Sequence, residues 1–370
     1  MLSTQQEQLE HYNTVAIGRD ACTAVNNTDA SNTVAVGAFA LGMLTSGRYN
    51  TAIGYAAMYN GMDVGDNNTA VGYEAMYNLN PGSDGHGSNT AVGYRAGYTV
   101  STAENNTFLG ARAGEAVTGA SNVIIGREAG LAMTTGADNV IIGHAAAAAA
   151  NTRNGLVIIG SGAGNSLTSG DANTFVGGGT GGNVSSGDHN TLLGYQAGYS
   201  LAAASSHNTL LGKQAGYNMN ASGDGNNIAI GSETADTLTS GIDNTIIGTG
   251  ADSEGTGTNR AIGLGKGITA VQDYFTVGNG TDDIRNSHGS TTWSTVSDKR
   301  FKKNIETSTA GLNFIEDLRP VTYNWKTKGE IPNWSKAYQE GSEEQYRNSK
   351  HNHGFIAQEV KEAIDNHPEI

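Results

Sequence analysis

The sequence predicts a mainly β protein, a parallel β-roll or β-solenoid shaft built from a short repeat and followed by a small α+β domain. Three observations carry this. A pentapeptide of the type Asn-Thr-Ala-Val-Gly recurs every 17 to 18 residues over much of the chain. Glycine is crowded into the same stretch, with 49 of 53 before residue 297. Charge runs the other way: residues 1–296 hold 10 Lys+Arg and 23 Asp+Glu, whereas the 74 residues 297–370 hold 11 and 12. A composition break this sharp marks a domain boundary. The expected division is a lead-in at 1–12, a shaft at 13–280, a linker at 281–296 and a C-terminal domain at 297–370.

Composition excludes several classes. The glycines follow no G-X-Y period, so the chain is not collagen-like. A single Cys excludes a disulfide scaffold and a paired-cysteine zinc site. No run of 18 apolar residues spans a membrane, and the opening MLSTQQEQLEHYN lacks the basic and apolar regions of a secretory leader. A net charge of −14 argues against nucleic acid as a partner. No cofactor is expected.

The repeat is clearest at Asn50–Gly54, Asn68–Gly72, Asn89–Gly93, Asn106–Gly110 and Asn122–Gly126, and its last copy is read at Asn259–Gly263. Fifteen closing glycines run from Gly18 to Gly263. A second half-motif, Y-x-A-x-Y, follows some of them, as at Tyr55, Ala57 and Tyr59. Turns such as Ser169-Gly-Asp-Ala-Asn173 close the unit, because Gly supplies positive φ and Asn or Asp bonds its own backbone. This period is too short for helical repeats and suits a coil of two short strands and two turns. Stacked coils would pair like strands at about 4.8 Å per step, making a rod of roughly 70 Å. Such a coil is expected to enclose almost no core, so that each depends on its neighbours and on other chains.

Other readings of the shaft are weaker. Asp171, Asp188, Asp224 and Asp243 sit in turns and are read as turn formers rather than ion ligands. GGGTGG at 177–182 occurs once, not in the series a calcium-binding roll needs. The Ala145–Ala150 run is read as filler. Equivalent tyrosines are expected to stack on one another from coil to coil.

The N-[TSV]-x-[AVI]-G-x-x-A pattern over roughly residues 13–265 resembles the head repeat of trimeric autotransporter adhesins of the YadA type. That resemblance implies a trimeric β-roll.

The C-terminal segment opens with Ser297-Asp-Lys-Arg-Phe-Lys302-Lys-Asn-Ile305. A Ser five residues before a Lys can form a dyad, in which a Lys of lowered pKa takes the hydroxyl proton. An amphipathic stretch over 311–320 follows, with Leu312, Ile315 and Leu318 on one helical face and Thr307–Thr309 as N-cap candidates. Then come Leu318-Arg-Pro-Val-Thr-Tyr-Asn-Trp325 and Gly354-Phe-Ile-Ala-Gln-Glu-Val360. His351, His353 and His367 have no metal-ligand spacing.

The motifs SDKRFKKNI, LRPVTYNW and GFIAQEV, in that order, closely resemble the endosialidase-type intramolecular chaperone. This is a self-cleaving serine peptidase domain at the C-terminus of phage tail spikes and fibres. The resemblance implies Ser297 as nucleophile, Lys302 as its partner and Val296–Ser297 as the bond cut. Asp298, Arg300, Asn304 and Gln358 fall on motif positions and are read as structural. In the family the domain continues beyond this segment into helices that assemble the trimer, so this copy is expected to be incomplete at its C-terminus.

The implied protein is a homotrimeric tail fibre or spike, made in the host cytoplasm and carried on the virion tail. Its partners would be other tail proteins and a host surface receptor or glycan, without nucleic acid or membrane insertion. The alternative is a trimeric cell-surface adhesin of the β-roll head type.

Overall fold

The structure is a computed structural model. It describes residues 13–24, 30–61, 65–80, 87–149, 152–220, 223–290, 294–295, 312–335, 337–347 and 350–367. The chain divides into two compact units, Met1–Val296 and Ser297–Ile370.

The first unit is a β-solenoid. Its main sheet has 18 strands, of which all but the last two run parallel and in sequence order, from Val15–Ile17 to Tyr274–Val277. Register is residue for residue: Thr51 pairs with Thr69 and Thr69 with Thr90, while Ala52 pairs with Ala70 and Ala70 with Ala91. Strands three residues long turn only their middle side chain inward. Ala52, Ala70, Phe108 and Ile124, all middle residues, are fully buried. No α-helix occurs among the described residues of this unit.

The closing glycines make the stacking possible. They carry φ between +129° and +143°, a region an L side chain rarely enters. A Cβ on Gly54 would stand 2.3 Å from the carbonyl oxygen of Gly72 in the next coil, and on Gly143 it would stand 2.5 Å from that of Gly160. This contact corrects the last sequence copy. The strand there is Ile262–Leu264 and the stacked glycine is Gly265, not Gly263. Gly263 takes the inward middle position, where Ile268 and Ala270 fill the space a side chain would use.

The Y-x-A-x-Y segment is not a second strand. It is a run of turns in which alternate residues are left-handed, as at Ala56 (φ +52°) and Met58 (φ +49°). The alternation points successive amides up and down the rod. Ala56 N–H donates to Ala38 O of the preceding coil, and Met58 N–H to Ala75 O of the following one. These bonds offset the cost of left-handed L-residues, about 1–2 kcal/mol each. Short second strands occur at Ser205–Ser206 with Gly223–Asp224 and at Asp252–Ser253 with Thr269–Ala270.

Each coil also closes an apolar core of its own, against the expectation that it would enclose almost none. Leu41, Met58, Met76, Leu79, Phe108 and Phe175 are completely buried within one chain. The turn residues supply this core, because left-handed Leu41, Met58 and Met76 direct their side chains inward. The tyrosines stack as expected: Tyr55, Tyr73 and Tyr94 lie 5.1 and 5.4 Å apart, centroid to centroid.

The sheet ends differently from how it runs. Ile284–Ser287, inside the stretch expected to be a linker, pairs antiparallel with Tyr274–Val277, and Ser294–Thr295 pairs antiparallel with it in turn. The reversal covers the last parallel edge.

In the second unit, helix α1 (Leu312–Asp317) leads into the strand Val321–Tyr323. That strand pairs antiparallel with Asn352–Gly354, which helix α2 (Ala357–Asn366) follows. The predicted helix over 311–320 forms over six residues and ends three before Pro320. Among the described residues no helix is long and apolar enough to cross a membrane.

Candidate functional site

Ser297 and Lys302 lie outside the described residues, as do Val296, Asp298, Arg300, Asn304 and the cap candidates Thr307–Thr309. Their flanks are described. Upstream, Thr295 pairs with Ile284 and Ser294 with Arg285, so the chain reaches the expected cleavage bond directly from a strand of the shaft.

Downstream, the two other motif segments come together. Val321 pairs with Gly354, Thr322 with His353 and Tyr323 with Asn352. Arg319 forks onto Glu359: its Nε donates to Oε2 at 3.1 Å and its Nη2 to Oε1. The guanidinium holds the Glu359 carboxyl below the usual carboxylate range. LRPVTYNW and GFIAQEV are thus two sides of one small structure. Sequence reading missed this pair. Its signal was an Arg and a Glu, of opposite charge, one in each motif.

Gln358 stands exposed in the first turn of α2. Trp325 packs edge-on against Tyr323 and Tyr346, with the Arg347 guanidinium 4.7 Å from its ring centroid. The three histidines are dispersed in role. His351 Nδ1 is 3.2 Å from Asn324 Oδ1, His353 lies in the strand pair, and His367 Nε2 is 2.8 Å from Asp317 Oδ2. Among the described residues no three His, Cys, Asp or Glu side chains group as metal ligands.

Both units expose apolar side chains in an ordered way. In the second, Ile315, Phe355, Ile364 and Trp334 are exposed, and Ala363 is the buried residue of α2. In the shaft, the last residue of every parallel strand of the main sheet points outward and is Val, Ile or Leu, from Ile17 through Ile53, Leu109 and Leu193 to Val277. Leu109 is 47% exposed and Leu193 43%.

No match was found among curated proteins or among solved structures. A family model does match, and its span begins at the boundary between the two compact units. Residues 297–367 of the chain match the family described as chaperone of endosialidase, a self-cleaving domain of the serine peptidase type.

Proposed function

We propose that the chain is a homotrimeric phage tail fibre or spike protein. Its C-terminal domain assists trimer folding and is then released by a cut between Val296 and Ser297. The observation that carries this reading is the outward aliphatic column. The core of each coil is already closed within one chain, so these side chains are surplus to the single-chain fold. They repeat at the coil spacing along the entire sheet, and a partner that matches this spacing throughout is another copy of the same solenoid. A face roughly 70 Å long and 10 Å wide approaches the ~800 Å² that each partner gives a standard interface. The exposed apolar residues of the second unit suit the same assembly. The same reading, resting on the family resemblance, gives the chain a host surface receptor or glycan and other tail proteins as partners and a place on the virion tail.

In the proposed reaction the Ser297 hydroxyl attacks the carbonyl carbon of Val296. Lys302, acting as a neutral amine, takes the hydroxyl proton and passes it to the departing Ser297 nitrogen. The result is an ester between Val296 and the Ser297 side chain, with a free amine at residue 297. Water then hydrolyses the ester. Attack on the adjacent peptide needs no substrate pocket, and proximity supplies much of the rate. For Lys302 to act near neutral pH, its pKa must fall below about 10.4. Lys299, Arg300 and Lys303 supply positive charge nearby in sequence, and burial on assembly would act the same way. The pairing of Ser294–Thr295 supports the reading, since it would hold the scissile bond next to a fixed strand.

The test is the chain mass of the full gene product beside its Ser297→Ala and Lys302→Ala variants. Unmutated protein cut before residue 297, with both variants whole, is the expected result. Cleavage in both variants overturns the dyad.

A further inference from the structure

Two tyrosine ladders run along the shaft and end differently. The first rests on Gly42, where a Cβ would meet the Tyr59 ring at 2.9 Å, and continues through Tyr59, Tyr77 and Tyr98. The second rests on Gly182, where a Cβ would meet the Tyr199 ring at 2.8 Å, and continues to Tyr217. The GGGTGG stretch therefore acts as a flat seat for a ring. All five tyrosines hold the same place, five residues after a closing glycine.

Tyr98 ends its ladder under a cation. One face stacks on Tyr77, and the Arg95 guanidinium lies 4.0 Å from the ring centroid. Arg95 reaches back to Glu74 at 3.4 Å and forward to Glu115 at 2.9 Å. By coil position the counterparts at the end of the second ladder are Tyr217 for Tyr98, Gln214 for Arg95, Gln196 for Glu74 and Asp236 for Glu115. Gln214 turns back and donates Nε2 to Gln196 Oε1 at 3.2 Å. Among the described residues no Arg or Lys lies over the Tyr217 ring. The second ladder thus keeps the ring and the anion of the first, without its cation.

A surface cavity opens at this point. Tyr217, Gln214, Asn218, Glu233, Asp236 and Asp252 line about 500 Å³. It adjoins a second cavity of about 490 Å³ through the shared residues Asn218 and Asp236. The second is lined by the amides and hydroxyls of Asn183, Ser200, Asn220 and Thr239 and by the apolar Leu201, Ala202 and Ala203. The step arises because the next two coils carry Asp236 and Ser253 where a further Tyr would stand, and Gly250 where a long side chain would stand. Each volume lies within the roughly 300–1,000 Å³ of small-molecule sites. Lys213 neutralises Glu233 at 2.8 Å, but among the described residues the Asp236 carboxylate accepts from the Asn218 amide alone, at 2.9 Å. Burial, then Asp252 and Glu233, hold the Asp236 carboxyl above its usual range.

We propose that this notch binds an amino sugar. Its ammonium stands over Tyr217 and beside Asp236, as the Arg95 guanidinium stands over Tyr98 and beside Glu115. Its hydroxyls bond the amides and hydroxyls of the adjoining cavity. A cation over a tyrosine face is attractive, and more so beside a carboxylate. The same carboxylates repel acidic sugars. All its lining residues lie within the first unit.

The test is ligand titration on the full chain at neutral pH, by calorimetry and saturation-transfer NMR. The probes are glucosamine, N-acetylglucosamine and methylguanidinium. Glucosamine is expected to bind about tenfold or more tightly than N-acetylglucosamine and more tightly than methylguanidinium. Gln214→Arg supplies the guanidinium from the chain itself, and should abolish glucosamine binding while leaving the melting temperature unchanged or raised. Asp236→Asn is the second variant and should weaken glucosamine without affecting N-acetylglucosamine. Equal binding of the amine and its acetylated form overturns the cation. Methylguanidinium binding as tightly as glucosamine overturns the sugar. Glucosamine binding that survives both variants, or no glucosamine binding at all, overturns the site.

Discussion

Asn50 Oδ1 accepts the backbone N–H of Asn68 at 2.8 Å and its side-chain N–H at 3.1 Å. Asn68 does the same for Asn89, Asn89 for Asn106, Asn106 for Asn122 and Asn122 for Asn139. This is a buried amide ladder running along the rod. It stops at Leu156, whose backbone N–H still donates to Asn139 Oδ1 at 2.9 Å, and resumes between Asn173 and Asn190. Each rung satisfies a backbone donor that the three-residue strand leaves over.

Replacing a rung should therefore cost more than its own bonds. Asn106→Ala leaves the buried Asn122 N–H without its acceptor, and a loss of about 2–4 kcal/mol is expected. Urea unfolding with an unchanged midpoint would show that the ladder contributes nothing.

Glycines of the two kinds should respond differently to alanine. At Gly143 a Cβ would lie 2.5 Å from Gly160 O, so Gly143→Ala must push neighbouring coils apart. At Gly155, with φ +65°, nothing lies within 4 Å, so only backbone strain of about 1–2 kcal/mol applies. Limited proteolysis should open the first variant near residue 143 and spare the second. Equal resistance would contradict the stacking contact.

The outward column should govern assembly and not the coil. Leu109→Asp and Leu193→Asp are expected to lower the sedimentation mass from trimer toward monomer with the β circular-dichroism signal kept, because the core is closed inside each chain. A monomeric unmutated protein would remove the trimer.

The Arg319–Glu359 fork predicts a pH signature. Glu359 has its carboxyl lowered by Arg319. Its contribution to stability is therefore present above the unfolded value, near 4.3, and is lost as pH falls through the lower folded value. Carboxyl NMR should place the Glu359 titration below 4.3, and Arg319→Ala should return it there. A normal titration in the unmutated chain would remove the fork.

Cys22 should be a slow nucleophile. Burial pushes its thiol up to about 11, so little thiolate exists at neutral pH. Alkylation by iodoacetamide should lag behind a free cysteine at pH 8 and accelerate toward pH 11. A rate equal to the free amino acid would refute the burial.

The sequence by itself determined the period and the position of the first strand in every coil but the last, and it marked a composition break near residue 296. Each rests on a residue with a single local reason: a closing glycine that alone tolerates φ near +135°, an Asn at the rung, a sudden rise in charge. It also carried the order of the three C-terminal motifs. Only the tertiary structure decided what lay between coils. Whether Tyr55-Ala-Ala-Met-Tyr59 is a strand or a left-handed turn depends on where the Ala56 and Met58 amides find acceptors, and those belong to residues 18 and 17 positions away. The inward fate of Met58 and the frame at Gly265 follow from the same distant neighbours. So do the Arg319–Glu359 fork and the contrast between Tyr98 and Tyr217. Sequence spacing is blind to them because stacking joins residues that are close in the rod and far apart along the chain.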